Sequence, residues 1–86
     1  MKEIWKYEYE GDSIEVRNNW ATQLLINGEV QDEKKGIHFS AVLNGKLTNG
    51  ESVKASLGGF FRIECILLVG DKPLVPIAVN NIKNDI

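Results

Sequence analysis

The chain has 86 residues, of which 43% are hydrophobic and 26% are charged, and its net charge at pH 7 is −2. This balance is typical of a single globular domain and argues against a disordered or membrane-spanning chain. The ten basic residues include one adjacent pair, Lys34-Lys35, so the sequence lacks the basic footprint of a nucleic-acid-binding protein.

Cysteine content and the first residues indicate a cellular compartment. Cys65 is the only cysteine, which excludes an internal disulfide and a cysteine-rich zinc site. The opening MKEIWKYEYEGD lacks the apolar run of a secretory signal, and no stretch approaches the roughly 20 apolar residues of a membrane span. We expect a cytoplasmic protein with no membrane partner, no metal and no cofactor.

The first predicted strands alternate between apolar and polar residues, as expected for strands with one buried face. In residues 4–9, Trp5, Tyr7 and Tyr9 share a face, and in the next segment Ile14 and Val16 do so. The same alternation continues through residues 37–43 and 53–57.

Turn residues separate these segments at short intervals. The Asn-Gly dipeptide, which suits both central positions of a type I′ hairpin turn, occurs at Asn27-Gly28, Asn44-Gly45 and Asn49-Gly50. Other turn signals lie at Gly11-Asp12 and Gly70-Asp71, among further sites. We interpret all three Asn-Gly pairs as hairpin turns between short strands.

Residues 60–69, FFRIECILLV, depart from simple alternation on one face. The odd-numbered residues form a wholly apolar face. The even-numbered residues change from charged, at Arg62 and Glu64, to apolar, at Ile66 and Leu68. Such a change indicates either a central strand or a strand whose outer face meets another surface.

A two-residue turn at Gly70-Asp71 would pair Leu68 with Pro73 and Ile66 with Val75. Four apolar side chains would then share the outward face: Ile66, Leu68, Pro73 and Val75. We expect this face to form a homodimer interface, unless residues 78–86 cover it through Val79 and Ile82.

The predicted architecture is all-β, an antiparallel β-sandwich or flattened barrel of seven to eight short strands built from hairpins. Residues 1–77 form the single β domain, and residues 78–86 form a C-terminal tail that is frayed or contains one helical turn. Twelve side chains are predicted to be in the core: Trp5, Tyr7, Ile14, Val16, Trp20, Phe39, Leu43, Leu57, Phe61, Ile63, Cys65 and Leu67.

A weak internal repeat supports two packed units. The segments that begin at Ile14 and Val53 both contain a strand, a tight turn opened by an aromatic residue, a longer apolar strand, a turn and a further strand. Because a lone hairpin unit cannot bury its apolar face, two such units are expected to pack face to face.

Two hairpin sequences within this repeat, LLINGEVQD (24–32) and ILLVGDKPL (66–74), cover under a quarter of the chain. In them the chain resembles the Fas apoptotic inhibitory molecule family, all-β proteins in which an apolar strand, an Asp-Gly or Asn-Gly turn and a charged return strand recur. The resemblance implies an antiparallel β-sandwich and a non-enzymatic interaction role, and it transfers no functional residue.

Two residues, His38 and Cys65, have side chains that could act as catalytic groups. His38 lies on the polar face of its strand beside Ser40, but no orienting carboxylate accompanies them. Cys65 falls in the apolar register, where a free cysteine behaves as a small buried hydrophobe. We predict no catalytic residue and no enzyme activity.

The aromatic residues give the best candidate for a small-ligand site: Trp5, Tyr7, Tyr9 and Trp20. An exposed aromatic stripe can stack on bases or sugar rings, whereas the same stripe facing inward is a core. The primary functional prediction is therefore a non-catalytic interaction module with a protein partner or a second copy of itself. The alternative is a domain that binds a sugar or nucleotide ring.

Overall fold

The computed structural model, which describes residues 2–36, 40–59 and 61–82, is an antiparallel β-sandwich built from hairpins. Its described strands are β1 (Lys2–Tyr9), β2 (Asp12–Asn18), β3 (Ala21–Ile26), β4 (Glu29–Lys35), β5 (Ala41–Lys46), β6 (Ser52–Gly58), β7 (Glu64–Val69), β8 (Lys72–Leu74) and β9 (Ala78–Ile82). Sheet A has the order β4-β3-β2-β1-β9, and sheet B has the order β5-β6-β7-β8. The predicted fold class is confirmed, with the sandwich rather than a closed barrel.

Backbone conformation explains why the hairpins turn where they do. Asn27 and Gly28 have φ values of 53° and 83°, the left-handed pair that a type I′ turn requires. Glu10 and Gly11 adopt the same conformation, although glutamate tolerates it less well than asparagine.

The second Asn-Gly pair is not a turn, which corrects the prediction for Asn44-Gly45. Both residues lie within β5, and the hairpin to β6 is made by residues 47–51, where Gly50 has a φ of 90°. Gly45 is instead a point of close approach, because a Cβ there would lie 2.8 Å from Gln31 Oε1 and 3.1 Å from Leu24 Cδ2.

The described part of the predicted tail is a strand rather than a frayed end or a helical turn. The chain leaves β8, crosses from sheet B to sheet A over residues 75–77, and then pairs as β9 with β1. This long-range pairing overrides the local preference of the segment and accounts for one strand more than predicted. Residues 83–86 lie outside the described residues.

The core between the sheets contains most of the predicted side chains. The confirmed buried residues are Trp5, Tyr7, Ile14, Val16, Leu43, Leu57 and Leu67, and Ile63 and Cys65 are partly buried against them. Phe39 lies outside the described residues.

Two predicted core aromatics are exposed, which corrects those assignments. Trp20 is 84% exposed in the turn between β2 and β3, and Phe61 is 95% exposed in the loop before β7. Side chains alternate between two faces only within strands. Because these two residues lie in a turn and a loop, the alternation could not predict which way their side chains face.

Asp12 ties the two sheets together at the end of the sandwich where β5 turns into β6. Its Oδ1 accepts hydrogen bonds from Thr48 Oγ1 at 2.7 Å and Asn27 Nδ2 at 2.9 Å, and its Oδ2 accepts one from Thr48 N at 3.0 Å. These bonds hold the pKa of Asp12 below its usual value, the bond from Asn27 contributing most.

Candidate interaction surface

The outward face of β7 and β8 carries three of the four apolar residues that the hairpin register predicts to lie together, whereas the predicted pairing of Ile66 with Val75 is not formed, because β8 ends at Leu74. The structure pairs Leu68 with Pro73, and Val75 follows directly after β8. Ile66 is 61% exposed, Val75 is 85% exposed, Pro73 is exposed and Leu68 is partly buried. We call this set, Ile66, Leu68, Pro73 and Val75, the β7–β8 outer face.

The apolar surface extends across sheet B beyond these residues. Ser56 of β6 pairs with Ile66 on one side and with Val42 of β5 on the other. Val42 is exposed, so it adds to the same side of the sheet. Lys54 pairs with Leu68 and places a positive charge within this otherwise apolar region.

The described part of the tail does not cover this face. Ala78–Ile82 pairs with β1 and therefore belongs to sheet A, whereas the β7–β8 outer face points away from sheet A. The shielding role considered for Val79 is thus wrong, since Val79 pairs with Trp5 on the inner side of sheet A. The side chain of Ile82 lies outside the described residues.

One side of the sandwich is closed by side chains that cap a strand edge. Asn44 N of β5 donates to Asp32 Oδ2 at 2.8 Å, and Lys46 N donates to Gln31 Oε1 at 2.8 Å. Both acceptors belong to β4, the edge strand of the other sheet. A capped edge cannot pair with another strand, so we do not place an interaction site there.

The predicted aromatic stripe is not an open stacking face. Trp5 and Tyr7 are buried and Tyr9 is partly buried, because β1 is an inner strand of sheet A and its inward face packs against the core. Trp20 lies apart from them in the β2–β3 turn.

Tyr7 and Cys65 meet inside the sandwich. Burial is the main cause that raises the pKa of the Tyr7 hydroxyl, and the neighbouring thiol raises it further. Among the described residues the hydroxyl has no partner that satisfies hydrogen-bond geometry, and the Cys65 sulfur beside it is at most a weak one. Burial also raises the pKa of the Cys65 thiol to about 11, so the nucleophilic thiolate is scarce at neutral pH.

A row of buried polar side chains crosses the inner side of sheet A at the opposite end from Asp12. Asn18 Nδ2 donates to Glu3 Oε1 at 3.4 Å, and Thr22 Oγ1 donates to Asn18 Oδ1 at 2.9 Å. Desolvation by burial raises the pKa of Glu3, and the bond from Asn18 opposes this shift.

Sequence reasoning missed a cleft that opens between the two sheets. It has a volume of about 370 Å³, and it is lined by Trp5, Arg62, Ile63, Glu64, Cys65, Pro76 and Val79. These residues come from both sheets and from the crossover, so no local pattern could have grouped them. The one sign of this cleft in the sequence was the presence of apolar residues in the tail, such as Val79.

The described residues form neither a metal site nor a membrane-spanning helix. Within residues 2–36, 40–59 and 61–82 no three His, Cys, Asp or Glu side chains cluster to hold a metal ion. No helix in those ranges is long and apolar enough to cross a membrane. His38 lies outside them.

Comparison with known proteins finds no matching family model, curated protein or solved structure. The resemblance to the Fas apoptotic inhibitory molecule family therefore stays a prediction from two hairpins.

Proposed function

We propose that this protein is a small non-catalytic interaction module that associates with a second copy of itself through the β7–β8 outer face. One observation carries the proposal: Ile66, Leu68 and Pro73 lie on the solvent side of sheet B, exposed Val75 follows directly after β8, and the described tail lies elsewhere. Contiguous apolar surface of this kind typically marks a protein interaction site.

A two-fold arrangement suits this face. In a dimer with two-fold symmetry the same patch supplies both halves of the contact, so an apolar patch meets an apolar patch. Lys54 would contribute a positive charge from each copy, and it must therefore lie at the rim rather than at the axis.

The non-catalytic part of the proposal rests on the reactive groups that the structure describes. Cys65 is partly buried and its pKa is raised, and the Tyr7 hydroxyl is buried beside it. Neither group is disposed to act as a nucleophile or a general base at neutral pH.

Sedimentation velocity on the wild-type chain and a Leu68→Lys variant tests the proposal. We expect a wild-type dimer at high micromolar concentration and a monomeric variant, because the contact would have to bury an unpaired lysine from each copy. Ile66→Lys, at a more exposed position, should have the same effect and guards against misfolding of the first variant.

Val30→Lys is the matched control, because Val30 is an exposed apolar residue on β4 of the other sheet. This variant adds the same charge and should remain dimeric. A wild-type chain that is monomeric at high micromolar concentration would refute self-association through this face.

A further inference from the structure

Sheet B contains a gap beside the first half of β7. Strand β8 pairs only with Leu67–Val69, whereas β7 itself begins at Glu64. The residues from Glu64 to Ile66 therefore pair with β6 on one side, and no described strand pairs with them on the other.

Hydrogen-bond alternation identifies which backbone groups face this gap. Gly70 N donates to Ser52 O at 2.9 Å, which places residue 70 and the even-numbered residues of β7 toward β6. The N–H and C=O of Cys65 must then point toward the missing strand. Continuing the register of β8 would place Pro76 there, but Pro76 has no N–H and lies in the crossover to sheet A.

The cleft between the sheets lies next to this open edge. Its apolar wall comes from Ile63 and Cys65 on the β7 side, from Trp5 and Val79 of sheet A, and from Pro76 in the crossover. Val79 on β9 is 47% exposed, so part of this apolar wall is in contact with solvent. The volume of about 370 Å³ is near the lower end of ligand pockets and suits one or two side chains.

We propose that this gap, the β7–β9 groove, binds an extended segment of a partner protein as an added strand. The segment hydrogen-bonds to the backbone of Cys65 and places an apolar side chain in the cleft between β7 and β9. Strand addition is a common recognition mode in which the main chain supplies affinity and a side-chain pocket supplies specificity.

The short free edge favours a lone segment over a folded copy of this chain. The open part of β7 covers only Glu64 to Ile66, because residues 75–77 leave sheet B beside it, so it offers too few backbone groups to pair with a full-length strand of a folded copy. At the rim, Arg62 Nε lies 3.6 Å from Glu64 Oε2, so the two side chains offset each other's charge. An uncharged segment is therefore the best fit, and its side chain enters the inner side of sheet B, opposite to the β7–β8 outer face.

A displayed library of random octapeptides, selected on the immobilised full-length chain, tests the proposal. We expect enriched peptides with apolar residues at alternate positions, since only every second side chain of an added strand points into the cleft. Binding should shift the backbone amide resonance of Cys65 and the indole resonance of Trp5 in the labelled chain.

A scan of amide N-methylation along one enriched peptide distinguishes strand addition from simple apolar contact. Methylation should weaken binding at least tenfold at the one peptide amide that donates to the Cys65 carbonyl, and much less at the two amides next to it, which face away from β7. Val79→Lys should weaken binding to a similar extent, whereas Val30→Lys and Leu68→Lys should leave it unchanged.

Three results would overturn the proposal. These are a library without enrichment over bare matrix, a methylation profile without a sensitive amide, and bound peptides that shift only resonances remote from Cys65. If no peptide is enriched, and if the wild-type chain is dimeric but the Val79→Lys variant is monomeric, the groove would instead be assigned to a second copy of the chain.

Discussion

A buried carboxyl group makes the inner surface of sheet A sensitive to pH at the scale of a single residue. Glu3 is 4% exposed and is hydrogen-bonded through one oxygen to Asn18. Its pKa is raised in the folded protein, so folding favours the protonated form. Its contribution to stability is therefore fully present below the unfolded pKa and is lost as pH rises through the folded pKa.

Replacing Glu3 by Gln should stabilise the protein at pH 7 by on the order of 1 kcal/mol, because the amide avoids the desolvated charge and can still accept from Asn18. Urea denaturation at several pH values measures this effect. The advantage over wild type should grow from pH 4 to pH 7, while Glu8→Gln, on the exposed side of the same strand, should change little. An advantage that is independent of pH would contradict the assignment.

At the scale of the element, glycine marks two different situations within strands. Gly45 of β5 faces β3 and β4, where an added Cβ would meet Gln31 and Leu24. Gly58 of β6 has nothing within 4 Å of an added Cβ, and neither residue has a left-handed φ. Substitution at Gly45 therefore tests close packing, whereas substitution at Gly58 tests only the effect of glycine on backbone entropy.

We expect Gly45→Ala to destabilise the protein by about 1 to 3 kcal/mol, because the methyl group displaces Gln31, which caps Lys46 N. Gly58→Ala should be neutral or should stabilise by up to about 1 kcal/mol through lower backbone entropy. Thermal and urea denaturation of both variants tests the pair. Equal effects of the two substitutions would show that the packing at Gly45 is not limiting.

The hairpins were predictable because their turns depend on local chemistry. The pairing of Leu68 with Pro73 across Gly70-Asp71 followed from turn length alone, whereas the predicted pairing of Ile66 with Val75 fails because β8 ends one residue earlier. Asn44-Gly45 was misassigned because the close approach of a second sheet, which has no local signature, can require glycine as strongly as a turn does. The same limitation applies to β9, whose partner β1 lies more than seventy residues away.

The whole molecule is joined differently along each of its sides. Asp12 joins the sheets at one end, the capped edge of β5 closes one side, and the crossover at residues 75–77 connects the other. The cleft opens beside that crossover, so the candidate groove follows from topology and could not have been predicted from any single segment. Because Asp12 accepts with both oxygens, it is the junction most sensitive to a single substitution.

Asp12→Asn should lower the melting temperature at neutral pH, because an amide nitrogen would face either Thr48 N–H or the donors at Oδ1. The pKa of Asp12 is lowered in the folded state, so its contribution is present above the unfolded pKa and is lost as pH falls through the folded pKa. The variant and the wild type should therefore converge in acid. Asp71→Asn, at an exposed turn, is the control, and equal melting temperatures at pH 7 would refute the role of Asp12.

The crossover that carries β9 into sheet A also determines the order in which the chain assembles. The hairpins of both sheets close short loops and can form quickly, whereas pairing of β1 with β9 closes a loop of more than seventy residues. We expect this pairing to form last. Until it does, the edge of β1 is unpaired and the indole of Trp5 lacks one wall, so the late folding intermediate is the species most prone to aggregate.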